Sequence, residues 1–102
     1  MKTKDQLIEL GIEGFKADAI ILLQSKMMEQ AVKFQFKKKD GTIRDAIGTL
    51  KRALMKQEDG TLWEPKGESK PEPASVVRYF DVEKGSWRCF TVTDFIGLAA
   101  EA

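Results

Sequence analysis

The chain has no histidine in its 102 residues, a single cysteine, Cys89, and three prolines. The missing histidine removes the usual general acid–base, the Ser-His-Asp triad and most zinc sites, so the chain reads as a non-enzyme that needs no cofactor. One cysteine excludes an internal disulfide. With no base to activate it, and with its place in Trp87-Arg88-Cys89-Phe90 resembling a strand interior, Cys89 is expected to be a small buried hydrophobe. No apolar run approaches the roughly 20 residues that span a bilayer. The longest, Ala19 to Leu23, suits a buried helix. Met1 is followed by charged residues and not by the apolar stretch of a secretory signal, so the expected location is cytoplasmic, with no membrane partner. Phosphate-loop and dinucleotide-binding glycine motifs are missing, as is an RNP-type aromatic run. The acids Glu58, Asp59, Glu64, Glu68 and Glu72 lack the alternating spacing and closing glutamate of a calcium loop, so no metal site is expected.

What is present is one domain's worth of ordinary globular sequence, 42% hydrophobic and 32% charged. It is organised around Val32 to Leu50, VKFQFKKKDGTIRDAIGTL. Val32, Phe34 and Phe36 alternate with Lys33, Gln35 and Lys37, the period of a strand with one buried face. Asp40-Gly41 is expected to supply the left-handed dihedrals of a tight hairpin turn, with Thr42-Ile43-Arg44 opening the return strand. Gly48 implies a bulge or a close backbone crossing where that strand bends.

Upstream, Thr3-Lys4-Asp5-Gln6 fits a capping box ahead of Leu7, Ile8 and Leu10, and Gly11 ends that short helix. A longer helix follows from about Phe15 to about Gln30. Its apolar face is read as Phe15, Ala19, Leu22 or Leu23, and Met27, with Lys16, Gln24 and Lys26 in solvent. Ile20, Ile21 and Met28 widen that face beyond what one small sheet covers, which points to a homo-oligomer.

Downstream, Lys51 to Ala74 reads as a long loop, with a helical turn at Lys51 to Met55, Trp63 anchored on the sheet, and mobility from Lys66 to Pro73. Val76 to Asp81 and Trp87 to Val92 form a second hairpin with Gly85 left-handed in its turn, Phe80 meeting Phe90, and Asp81 bonded to turn amides or to Lys84 or Arg88. Thr93 to Ile96 reads as a helical turn laying Phe95 and Ile96 over the sheet, and Leu98 to Ala102 as a frayed end. The expected core gathers Phe34, Phe36, Phe80, Phe90 and Ile96.

These segments together resemble a family of small bacterial and bacteriophage proteins described as WYL-like, with an Sm-like or SH3-like β-barrel fold. The resemblance spans roughly residues 31 to 98. It rests on Phe36-Lys37-Lys38-Lys39-Asp40-Gly41-Thr42, Gly48-Thr49-Leu50, and Tyr79-Phe80-Asp81 through Gly85-Ser86-Trp87-Arg88-Cys89-Phe90. It implies an α+β chain, a helical segment over residues 1–30 followed by a strongly bent antiparallel barrel of about five strands over residues 31–98. Larger WYL domains bind nucleic acids or nucleotide ligands through basic residues, none of which is carried over to this chain.

Net charge is only +1, but it is unevenly placed: residues 32–56 hold eight lysines or arginines against two acids, and residues 57–102 five against nine. The candidate ligand-binding residues are Arg44, Arg78 and Arg88, whose planar forks suit phosphate, with Lys37 and Lys39 beside them. Tyr79 or Trp87 would stack on a base. Two functions stay open. One is a non-catalytic module binding a phosphate-bearing ligand, a single-stranded nucleic acid or a small nucleotide; in a phage it would suit sequestration of a nucleotide immune signal, which requires a pocket. The other is an oligomeric or protein-interaction adaptor using the apolar helix face and the Trp63 loop, its lysines only conferring solubility.

Overall fold

The computed structural model describes residues 1–67 and 70–99. Thr3 caps α1 (Lys4–Glu9) with both halves of a capping box, its hydroxyl accepting from the Gln6 amide while the Gln6 side chain accepts from the Thr3 amide. Gly11, at φ +86°, turns the chain out of α1, and α2 (Gly14–Met27) follows. Five antiparallel strands complete the fold: β1 (Val32–Lys37), β2 (Ile43–Thr49), β3 (Val76–Asp81), β4 (Ser86–Thr91) and β5 (Phe95–Leu98), in the spatial order β4-β3-β2-β1-β5.

The sheet curls because β2 serves two partners. It pairs with β1 along its length but meets β3 only at Gly48↔Asp81 and Thr49↔Phe80. Gly48 is the corner, and a close approach: a Cβ there would lie 2.7 Å from Cδ2 of Tyr79 and 3.0 Å from Cε1 of Phe34. Inside the curl, Phe34, Phe36, Tyr79, Phe90 and Phe95 pack with Ala46, Val77 and Val92. Leu7, Ile12, Ala17, Ile20, Leu23 and Met27 of the helical segment join the same cluster, so helices and sheet share one core. The C-terminus of α2 is tied to β2, where the Thr49 hydroxyl donates to the Met27 and Gln30 carbonyls and the Leu50 amide to Met27.

Several expectations are corrected. In the first hairpin only Gly41 is left-handed (φ +91°), since among the described residues no non-glycine residue has positive φ. Lys38 donates to the Thr42 carbonyl and Gly41 to that of Lys38, giving a longer turn in which Asp40 accepts from the Thr42 amide and hydroxyl. The buried face of α2 is Ala17, Ile20, Leu23, Gln24 and Met27, while Phe15 is 75% exposed. Gln24 is buried because its side-chain amide pairs with both backbone groups of Lys2, and the Lys2 ammonium in turn bonds Glu72 and the Pro73 carbonyl.

The segment expected to be a loop contains the anticipated helical turn (Arg52–Leu54) and also a small hairpin: Lys56 bridges Leu62, and Asp59-Gly60-Thr61 repeats the bonding of Asp40-Gly41-Thr42. Residues 70–73 are strapped down by Lys2 and Arg78; Glu68 lies outside the described residues. Phe80 is buried but faces away from Phe90, because Phe80↔Trp87 and Val77↔Phe90 are the cross-strand pairs. Cys89, on that outer face of the edge strand β4, is exposed. Near the end, Val92–Asp94 is the helical turn and residues 95–98 form β5, whose alternation buries Phe95 and exposes Ile96. Leu98 pairs with Phe34 and so is not frayed; residues 100–102 lie outside the described set.

Candidate functional site

Alternation along three strands delivers the site. Arg44 opposes Phe36, and Arg88 opposes Tyr79 and shares a face with Phe90, so both arginines point to the core side of the curl at its rim. Lys37 at the end of β1, and Lys38 and Lys39 in the turn that follows, border the same rim. These residues, with Phe36, Tyr79, Phe90 and Asp94, line a cavity of about 630 Å³. Its size is that of an ordinary small-ligand pocket.

One buried carboxylate organises the cationic groups. Asp81 is 0% exposed. Its Oδ1 accepts the Glu83 and Lys84 amides of the β3–β4 turn at 3.0 Å, while its Oδ2 receives Nη2 of Arg44 at 2.6 Å and lies 3.9 Å from Nε of Arg88. Arg44 is therefore held in a charge-assisted bond, whereas Arg88, its side chain 49% exposed, keeps its fork free. Burial works against the Arg44 charge, but the bond and charge of Asp81 outweigh it and raise the pKa above its ordinary value. Burial raises the Tyr79 pKa, with the Asp81 charge adding to the effect against Arg44 and Arg88, so the phenol stays protonated. Lys39 reaches across to Thr91 (2.8 Å) and Asp94 (3.3 Å), linking the β1–β2 turn to the end of β4.

Of the residues singled out from sequence, Arg44, Arg88, Lys37, Lys39 and Tyr79 come together. Arg78 and Trp87 do not, because both sit on the outer face. The Arg78 guanidinium donates to the Lys70 and Pro71 carbonyls, and Trp87 packs against Trp63 (centroids 5.2 Å apart) and Phe80. Trp63 thus anchors its hairpin as expected. Tyr79 offers no ring face for stacking: it borders the cavity but is fully buried against Phe34, Phe36 and Phe90. Sequence reasoning missed the central position of Asp81. Its signal was present, because Asp81 shares the parity of Val77 and Tyr79 and had to point inward.

The model of the WYL_2 family, an Sm-like SH3 beta-barrel fold, matches residues 20–96. The chain belongs to this family. The match starts within α2 and contains every residue of the site. This WYL_2 chain is also 32% identical over 78 residues to a protein of Enterobacteria phage T4 named "Uncharacterized 11.5 kDa protein in Gp31-cd intergenic region", covering 76% of this chain and 74% of that one. No solved structure matches it. Among the described residues no helix is long and apolar enough to cross a membrane, and no group of three or more His, Cys, Asp or Glu could hold a metal ion.

Proposed function

We propose that this protein is a non-catalytic binding module for a phosphate-bearing ligand, a small nucleotide or a single-stranded nucleic acid. The observation that carries the reading is the convergence of Arg44, Arg88, Lys37, Lys38 and Lys39 on one cavity whose wall includes Phe36 and Phe90. The carboxylates near it are engaged: Asp81 with Arg44, Asp94 with Lys39, and Asp40 with Thr42. Guanidinium forks on strands are pre-organised, and an adjoining apolar wall accommodates a sugar or base. A relative in a bacteriophage also suits sequestration of a nucleotide signal by a phage-borne protein.

Calorimetry with mononucleotides and single-stranded oligonucleotides at low and moderate salt tests this. Each lost charge-assisted contact costs about 1.5–3 kcal/mol, roughly ten- to a hundredfold in affinity. Arg88→Gln with Lys39→Gln should therefore lose binding, while Arg78→Ala should keep it, and affinity should fall steeply with salt. If wild type binds neither class, or the double variant binds as well as wild type, the reading fails.

A second reading, self-association or adaptor function, is favoured by the outward apolar groups of the helical segment. Phe15 and Leu22 are seven residues apart on one exposed face of α2, and Phe15 borders a groove of about 440 Å³ shared with Ala19, Phe95 and Ile96.

A further inference from the structure

The buried side-chain polar atoms without a hydrogen-bond partner, among the described residues, are Nε of Arg44, the hydroxyl of Tyr79 and Nε1 of Trp87. The Trp87 atom belongs to the outer aromatic cluster, whereas Arg44 and Tyr79 both line one cavity. Buried polar groups are nearly always satisfied, and an unpaired one destabilises the fold. Arg44 and Tyr79 also interact with one another, but the phenol oxygen can at most accept from the guanidinium, so the pair still leaves a buried donor that calls for an acceptor from outside the chain. Arg44 has already given Nη2 to Asp81, leaving Nε–H, which can only donate. The Tyr79 hydroxyl is fixed in position by its ring, which meets Phe34 edge-on at 5.0 Å.

Resting on the phosphate reading of this cavity, we infer that the Tyr79 hydroxyl and Arg44 Nε are kept for the oxygens of a terminal phosphate monoester, not for the phosphodiester interior of a strand. Depth decides between them. Tyr79 is wholly buried, so an acceptor must enter below the surface. A phosphodiester carries a sugar on both sides and two free oxygens. A monoester hangs on one linkage with three free oxygens and can be inserted end-on. The side chain that has to yield is Arg88. It stands opposite Tyr79 in register, is half exposed, and lies 3.9 Å from Asp81, so it can swing out to admit the group and return to pair with it.

The test compares three probes by calorimetry: a nucleoside 5′-monophosphate, an oligothymidylate with a 5′-phosphate, and the same oligothymidylate with a 5′-hydroxyl. The monophosphate and the phosphorylated oligomer should bind at least about tenfold tighter than the hydroxyl form, one charge-assisted contact's worth. Tyr79→Phe should erase that preference while its melting temperature stays level or rises, since an unpaired buried hydroxyl is removed. Arg44→Lys, which keeps a cation for Asp81 but deletes Nε, should also erase it. Equal binding of both oligomers would overturn the terminal-phosphate inference and leave the phosphate reading standing. Retention of the preference in both variants would overturn the roles of Tyr79 and Arg44. Failure of all three probes to bind would overturn both readings.

Discussion

Tyr79 is the chain's single tyrosine, so its titration can be followed without interference. Its folded pKa is raised above the ordinary value of 10.0, chiefly by burial, with the Asp81 charge adding to it. For an acid held neutral, the sign is clear: the contribution to stability is intact below the unfolded value and is lost as pH rises through the higher folded one. Phenolate absorbance in native protein should therefore rise at a pH above that of unfolded protein, and the fold should weaken over the same alkaline interval. A midpoint equal to that of the unfolded chain would show that the ring is not buried as described.

At the scale of elements, Asp81 joins three: β2 through Arg44, β3 on which it sits, and the β3–β4 turn through the Glu83 and Lys84 amides. Removing one partner of a buried ion pair strands the other charge, and here two turn amides lose their acceptor as well. Asp81→Ala should cost about 3–5 kcal/mol in urea unfolding, whereas Arg88→Gln, on the weak 3.9 Å side of the same carboxylate, should cost less than about 1 kcal/mol. Equal losses would place the two arginines on the same footing. The paired Asp-Gly-Thr turns show the same economy in sequence, since Asp40 and Asp59 are each held at lowered pKa by the hydroxyl and amide of a threonine two residues on.

At the scale of the whole molecule, the helical segment buries Ala17, Ile20, Leu23 and Met27 within the protomer and leaves Phe15, Leu22 and Met28 outside. If the outer face supports self-association, sedimentation at micromolar concentration should show a species larger than the 11.5 kDa chain, and Phe15→Ser should return it to monomer. A single 11.5 kDa species in the wild type would remove the oligomer reading.

The sequence by itself determined the elements whose signals are local. The Thr3-Gln6 capping box, the β1 alternation of Phe34 and Phe36, the left-handed glycines Gly41 and Gly85, and the tight corner at Gly48 each follow from a few adjacent residues. The Asp59-Gly60-Thr61 turn was legible by the same rule that revealed Asp40-Gly41-Thr42. Tertiary structure alone decided which candidate residues meet. Arg88 lies inside and Arg78 outside because the β3–β4 register sets Tyr79 against Arg88 and Arg78 against Cys89. A one-residue shift would exchange the faces of every side chain on a strand. Gln24 could become buried only once Lys2 folded back against it from 22 residues away, and β5 could become a strand only because β1 offered a free edge to pair with. Composition near these residues carries no trace of such distant partners, because a hydrogen bond or a register is a property of two segments and neither segment specifies it alone.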